Sequence, residues 1–404
     1  MSALTFFILC LEGAVLSFNV AATAALVPSI AKDFALSQFF VGKIIWLYMV
    51  PYGIAALVYG PLIRAIDAKR VELACMFMFS AANLLAALAT SIYALFFARF
   101  LMGFFGASVI PLGLILIARH IEGSQRGKFV GIFFSATFIA SLLGLFLSGI
   151  LSWRWIYFIP SVCGFATFIL IYLFLPSFKK DTCSFRINYL QAFKNKNIIS
   201  VFTYIFFISL LYHGIQQWLS VYFSSSFNFG QFVISMLITL TSLSGVFGEA
   251  LGGWFADSLG RLRIVNLGIV LMILTAILII FKLSPITLAI LMIIWGLGWT
   301  FNHAGVSTIL TDLPEEFLNE AASLNSSVRF LSGGLGVLVS GVIMQKSFSA
   351  GFLTLGAGLI LLLIFSKELL GTPLKPIEGH PWNQSEGCPH GYNCKFCINM
   401  EGHP

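Results

Sequence analysis

Twelve long apolar segments, separated by short breaks that carry charged residues or Gly and Pro, run through almost the whole sequence. An α-helix needs about 20 apolar residues to cross the hydrocarbon core of a bilayer, and most of these segments are that long. Since lipid offers the backbone no hydrogen-bond partners, such segments must fold as membrane-spanning helices. The predicted helices are residues 4–30, 38–62, 72–90, 93–118, 128–151, 155–175, 199–223, 231–256, 264–283, 285–310, 321–344 and 349–370.

The composition excludes most soluble classes of protein. Of the 404 residues 59% are hydrophobic and 10% are charged, whereas a soluble domain carries about 25% charged residues. An ordinary cytosolic enzyme, a secreted disulfide scaffold and a disordered chain are therefore excluded, and we expect no enzymatic activity. The sequence also lacks a G-x-x-x-x-G-K-[ST] phosphate loop, which disfavours direct ATP drive.

The basic residues predict the orientation in the membrane. Of the 23 Lys and Arg residues, sixteen lie on the side of the N-terminus and the tail, and five lie in the opposite loops. Basic residues are retained on the cytoplasmic side, so both termini are predicted to be cytoplasmic, in an inner (plasma) membrane. This asymmetry also accounts for the net charge of +7 without a nucleic-acid partner. Because no basic residue precedes Lys32 and Glu12 interrupts the first apolar run, that run is predicted to be a span rather than a cleaved signal peptide.

The two halves of the chain resemble each other. The stretch that begins at Gly60 recurs at Gly253 with an offset of 193 residues, and Gly103 corresponds to Gly296 at the same offset. Duplicated halves are typical of transporters, so we predict an all-α membrane protein of twelve transmembrane helices in two pseudo-symmetric six-helix bundles. The predicted divisions are an N-terminal bundle (1–175), a cytoplasmic linker (176–198), a C-terminal bundle (199–370) and a cytoplasmic tail (371–404).

The loop after the eighth segment resembles the signature of the major facilitator superfamily. It reads Gly-x3-Asp-x2-Gly-Arg-x-Arg, and its members are Gly253, Asp257, Gly260, Arg261 and Arg263. The resemblance implies a gate, in which glycine permits close helix approach and the Asp beside cations forms a latch that breaks when the inner side opens. It also implies a central cavity lined by helices 1, 4, 7 and 10.

Other elements are similar to the drug:proton antiporter branch of this superfamily. They are residues 26–34 in the first outer loop, 99–103 in the fourth helix and 153–155 at the outer end after the fifth helix. Two elements depart from that pattern. Arg64 stands at the Asp position of the first repeat, and residues 140–145 replace most of the fifth-helix antiporter motif.

Ionisable residues inside the spans are candidates for coupling, because a charge at mid-bilayer costs about 2.5–3.5 kcal/mol on insertion scales. Glu12 and Asn19 share one face of the first helix, which we expect to line the cavity. The resemblance implies proton coupling or anion contact for Arg99 in the fourth helix, with Glu12 or a bound anion as its partner. Glu249 in the eighth helix is the second carboxylate that can carry a proton.

Polar stripes on the seventh and tenth helices are predicted to line the same cavity, with interhelical hydrogen bonding as the alternative. Trp299 and His303 belong to the stripe on the tenth helix, whereas the seventh carries His213, Gln216, Gln217 and Ser220. At 1.5 Å rise per residue the two histidines differ in depth by roughly 12 Å. We therefore expect that they do not bind one metal ion together.

The tail carries a second kind of candidate site. Cys388, Cys394 and Cys397 lie close to His390 and His403, and three thiolates with one imidazole complete a tetrahedral zinc shell. Zinc, or iron as the alternative, is therefore predicted on the tail, against the interpretation of incidental cysteines in a flexible segment. A structural disulfide is disfavoured in a reducing cytosol, and transport itself requires no cofactor.

These features predict a proton-coupled secondary transporter of a small organic solute that works by alternating access. Its partners are the solute, protons and the lipid bilayer, and we expect a monomer. One alternative is a transporter of metal or metal chelates of the siderophore kind, suggested by the tail and the two histidines. The other is a non-transporting membrane sensor with a metal-binding tail.

Overall fold

The computed structural model describes residues 2–121, 123–177, 189, 193–310 and 318–371. Within these ranges the side chains of residues 60–61, 63–65, 118–119, 123–124, 126–127, 257 and 318–322 are not described. Every regular element in the described part of the chain is a helix. The described residues form one compact unit.

Twelve helices among the described residues are long and apolar enough to cross a membrane, which confirms the predicted fold class. Spans 1 to 12 are Ala3–Asp33, Gln38–Tyr59, Ala68–Ala87, Ile92–Ile117, Lys128–Ser148, Trp153–Phe174, Lys196–Phe227, Gln231–Ala256, Arg261–Leu278, Pro285–Leu310, Ser323–Met344 and Phe348–Leu370. Spans 3 and 9 begin a few residues earlier than predicted, at their basic ends. Long basic side chains at a helix end can reach water while the backbone continues the helix, so charge alone does not mark the end.

Four spans are interrupted where the sequence predicts continuous helices. Span 2 is broken at the single residue Gly42, between Gln38–Val41 and Lys43–Ala65, and the other three are broken by two residues each. Span 1 consists of Ala3–Ser17 and Val20–Asp33, and span 7 consists of Lys196–Gln216 and Leu219–Phe227. Span 4 is broken in the same way, between Ile92–Gly106 and Val109–His120. The hydrophobic pattern of the sequence does not reveal a break of one or two residues, because the pattern continues on both sides of the break.

Glycines bring helices into backbone contact in a pattern that repeats in the two halves. A methyl group at Gly103 would overlap the carbonyl oxygen of Tyr48, and one at Gly296 would overlap that of Thr241; both members of this pair are offset by 193 residues. Gly144 meets the carbonyl of Phe18, and Gly336 meets that of Leu210, with both members offset by 192 residues. Spans 4 and 2 therefore pack as spans 10 and 8 do, and spans 5 and 1 pack as spans 11 and 7 do.

We expect Gly144→Ala to destabilise the protein, since span 5 must move away from the break in span 1 to make room for the methyl group. Overpacking of this kind costs about 1–3 kcal/mol, which should lower the thermal unfolding midpoint of the detergent-purified protein. Gly131→Ala is the matched control on the same helix, because nothing lies within 4 Å of the added methyl group there. Equal midpoints for the two variants would contradict the proposed role of Gly144.

Candidate functional site

A central cavity with two adjoining lobes lies between the halves. The C-lobe, of about 310 Å³, is lined by spans 5, 7, 8, 10 and 11, and the N-lobe, of about 260 Å³, is lined by spans 1, 2, 4, 5 and 11. Phe138, Ser141 and Phe330 line both lobes. The His, Glu and Arg side chains that line the cavity all lie in the C-lobe: His213, Glu249, His303 and Arg329.

Among the polar side chains of the C-lobe, His303 and Glu249 contact each other, whereas most of the Arg329 guanidinium has no hydrogen-bond partner. Nδ1 of His303 lies 2.7 Å from Oε1 of Glu249, although the ring nitrogen is not aligned well enough for a regular hydrogen bond. Arg329 donates through Nε to Oδ1 of Asn325 at 2.8 Å. Its two terminal nitrogens are buried and have no hydrogen-bond partner.

Aromatic rings form the wall beside these charges. Trp299 stacks on Tyr212 with a centroid distance of 3.8 Å. The rings of His213 and His303 lie 5.7 Å and 6.0 Å from Trp299, and Cζ of Arg329 lies 5.8 Å from the Trp299 centroid. The two histidines and Trp299 thus line one cavity. Among the described residues no group of three or more His, Cys, Asp and Glu side chains is placed to hold a metal ion.

The glutamines of span 7 serve the scaffold rather than the cavity wall. Gln216 accepts a hydrogen bond from Nε1 of Trp295 at 2.7 Å and donates to Oγ1 of Thr241 at 3.3 Å, which ties spans 7, 8 and 10 together. Nε2 of Gln217 lies 3.4 Å from Nδ1 of His213 and orients that ring. The interhelical alternative therefore describes Gln216 better than cavity lining does, because its amide is already satisfied by neighbouring helices.

The polar face of span 1 points into the N-terminal half and not into the cavity. Nδ2 of Asn19 donates to Oδ1 of Asn83 at 2.5 Å. Glu12 is fully buried, and its carboxyl group meets that of Glu72 from span 3. The cavity wall of span 1 consists of Leu16, Ser17, Val20 and Ala21 instead. The sequence indicates that the polar face of span 1 is buried. Span 1, however, has one buried face in the N-terminal half and another at the cavity, and the sequence does not say which of the two is polar.

Arg99 is also buried, and its predicted partner Glu12 is not beside it. Nε of Arg99 donates to the carbonyl of Ile44 at 3.1 Å, and Cζ lies 4.4 Å from the ring centroid of Tyr48. A backbone carbonyl and an aromatic face therefore replace the expected carboxylate.

Sequence reasoning missed two ionisable residues as site members. Glu72 was placed at the first residue of a predicted span, where a charge indicates the interface, yet it is fully buried. Arg329 lies inside the predicted eleventh span, where the sequence leaves structural anchoring and function equally open, and it lines the C-lobe. For Arg329 the available signal is a lone charge inside an apolar segment, whereas Glu72 follows Lys69 and Arg70 closely and carries no such signal.

The signature loop after span 8 is compact. Gly260 joins the helices Gln231–Leu259 and Arg261–Leu278 with φ +99°, a conformation that favours glycine. Nη1 of Arg263 donates to the carbonyl of Leu259 at 3.3 Å. The Asp257 side chain lies outside the described residues, so the latch with Arg261 and Gly253 stays a prediction. The tail residues Cys388 to His403 lie outside the described residues as well.

The halves are joined at the predicted outer end by a set of contacts that we call the outer seal: Trp218, Ser220, Gln231 and Gln38 with their partners. Nε1 of Trp218 donates to the carbonyl of Val337 at 3.0 Å, and Gly42 and Gly341 lie against its ring. The other three donate across the halves, Ser220 to Ala24 at 2.5 Å, Gln231 to Ala25 at 3.0 Å and Gln38 to Ser224 at 3.1 Å.

Comparisons with known proteins agree with this architecture. The family model described as Major Facilitator Superfamily matches residues 9–337 and 233–380. The chain is 20% identical to the purine ribonucleoside efflux pump NepI of Salmonella paratyphi B, over 87% of this chain and 90% of that protein. It is 26% identical to Azole resistance protein 1 of Saccharomyces cerevisiae over 40% of this chain, which spans only 27% of that longer protein. The crystal structure of the nucleoside transporter NupG has a TM-score of 0.71 at 16% identity, covering 91% of this chain and 99% of that one.

Proposed function

The chain belongs to the major facilitator superfamily, and we propose that it is a proton-coupled secondary transporter of a small organic solute that works by alternating access. It is a multi-pass membrane protein. We place it in the inner membrane with both termini in the cytoplasm, in accordance with the distribution of its basic residues. We also propose that it is a monomer.

The observation that carries this proposal is the C-lobe. A cavity of about 310 Å³ is within the range of small-molecule sites, which are mostly apolar with a few oriented polar groups. Here aromatic rings flank the contact between His303 and Glu249 and the guanidinium of Arg329. Such a lining suits an organic solute with both apolar and polar parts better than it suits a bare ion.

Proton coupling is supported by the contact between Glu12 and Glu72. Neither residue is exposed, and among the described side chains no basic group forms an ion pair with either carboxyl. Two ionised carboxylates are both acceptors and repel each other, so their contact becomes a hydrogen bond only when one of them carries a proton. Among the described side chains, the other titratable groups that face Glu72 are Tyr59 and Cys75, which are hydrogen-bonded to each other at 3.3 Å.

Alternating access is supported by the outer seal. Its three hydrogen bonds between the halves join side chains on one half to backbone carbonyls or a hydroxyl on the other. These contacts can exchange for water without leaving a charge unpaired. The seal is therefore suited to opening and closing, while the glycine contacts within each half hold the bundles rigid.

Transport into proteoliposomes with an imposed pH gradient tests the function. Purine nucleosides are the first solutes to try, because NepI is named as a purine ribonucleoside pump. A purine nucleoside has a planar ring and polar groups, which suit the aromatic and polar side chains that line the C-lobe. We expect accumulation above equilibrium that collapses with a protonophore. Gradient-independent equilibration would contradict proton coupling. Accumulation of metal chelates alone would favour the metal-carrier alternative, and no flux of any solute would favour the sensor.

A further inference from the structure

Arg329 differs in its contacts from Arg99 in span 4 and from Arg154 in span 6. Arg99 donates to the carbonyl of Ile44 at 3.1 Å, and Arg154 donates to the carbonyls of Ala87 and Ala89 at 2.9 and 2.8 Å. Arg329 binds Asn325 only through Nε, and both terminal nitrogens lack a partner. The fork of the guanidinium, which matches a carboxylate or phosphate, is therefore unused.

None of the described carboxylates lies within ion-pair distance of Arg329. Glu249 lines the same lobe and interacts with the guanidinium electrostatically, but its direct contact is with His303 at 2.7 Å. A buried guanidinium without a counter-ion in direct contact is costly. An anion entering the lobe would provide the missing partner.

The surroundings of Arg329 define the rest of the ligand. The Trp299 ring lies 5.8 Å from Cζ of Arg329 and is stacked on Tyr212. Phe330 stacks on Tyr52 with a centroid distance of 3.9 Å, and both Phe330 and Phe138 also line the lobe. Several aromatic rings in the lining favour a ligand with a planar body.

We propose that the C-lobe takes organic anions: Arg329 holds a carboxylate or phosphate group while a planar apolar body packs against the aromatic lining that includes Trp299 and Phe330. This inference rests on the proposed function, in which the C-lobe is the solute site, and it specifies the chemical class of the solute. Glu249 then repels the bound anion, and its contact with His303 weakens that repulsion.

Matched acid and neutral probes test the proposal on the full-length protein in lipid nanodiscs. The pairs are indole-3-acetate with indole-3-acetamide, benzoate with benzamide, and adenosine monophosphate with adenosine. Binding is followed by the thermal unfolding midpoint and by tryptophan fluorescence at constant ionic strength. We expect at least one acid to bind more tightly than its neutral counterpart, with the carboxylates and the phosphate distinguishing the two anionic groups.

Variants assign the effect to Arg329. Arg329→Gln should weaken binding of the acid about 10- to 100-fold, the loss of a charge-assisted contact, with no change for the neutral probe. Arg329→Lys should lie between them, because it keeps the charge and loses the fork. Glu249→Gln should tighten binding of the acid. Lys346→Gln, an exposed position in the loop that follows span 11, is the control and should match the wild type.

A structural role for Arg329 predicts a different outcome. If the residue were an anchor, Arg329→Gln would lower the midpoint of the ligand-free protein, whereas removal of an uncompensated charge should leave it unchanged or raise it. Equal binding of acid and neutral probes, binding retained in Arg329→Gln, or no binding of any acid would overturn the proposal. Charge-independent accumulation in proteoliposomes would also overturn it while leaving the transporter function intact.

Discussion

Glu12→Gln is expected to abolish accumulation of solute against its gradient while leaving exchange of solute across the membrane measurable. The amide keeps the size of the side chain but cannot release a proton, so the pair with Glu72 no longer changes its charge during the cycle. The accumulation ratio in proteoliposomes should fall to about one, the value for facilitated equilibration in the absence of any coupled driving force. Counterflow of labelled solute is the measurement that shows the carrier still works.

Glu72→Gln should behave in the same way, because the two carboxyl groups form one unit. The double variant should be no worse than either single variant, as expected for residues that act together. Glu368→Gln, at the exposed end of span 12, removes a carboxylate outside the pair and should transport normally. Wild-type accumulation in Glu12→Gln would exclude this residue as the proton carrier, and a defect in Glu72→Gln alone would move the role to Glu72.

The sequence predicted the fold well because few structures satisfy a backbone in lipid. Once twelve apolar segments are recognised, helices follow from the lack of other hydrogen-bond partners. The duplication was equally visible, since the offset of 193 residues between Gly103 and Gly296 reappears in their contacts with Tyr48 and Thr241. Length and repetition are properties of the chain itself, and tertiary contacts do not alter them.

The site was less predictable, because polarity on a buried helix shows that partners exist but not which ones. His213 and Gln216 lie on one stripe of span 7, yet His213 faces the C-lobe and Gln216 bonds to Trp295. Glu12 was expected in the cavity and instead meets Glu72. These outcomes depend on the rotation of each helix against several neighbours, which the sequence of one helix does not determine.

Trp218→Ala is expected to shift the protein towards a state that is open at the predicted outer end. The indole is 3% exposed and fills the space between Gly42 and Gly341, so its removal deletes packing between the halves and the hydrogen bond to Val337. Truncation of a buried Trp costs about 3–5 kcal/mol. The closed state alone is destabilised by this amount if the contacts of Trp218 are lost when the seal opens. Each 1.4 kcal/mol changes the ratio of the two states tenfold.

Spin labels at Leu36 and Lys346, on exposed loops of the two halves at the predicted outer end, report this change as a longer distance in electron paramagnetic resonance. Accumulation should fall with little loss of solute affinity, because the C-lobe residues are unchanged and only the equilibrium between states has moved. Trp155→Ala is the control, since this ring is 52% exposed and contacts Phe158 within its own span. An unchanged distance in Trp218→Ala, together with a lower thermal unfolding midpoint, would mean that the indole stabilises both states equally and does not belong to a gate.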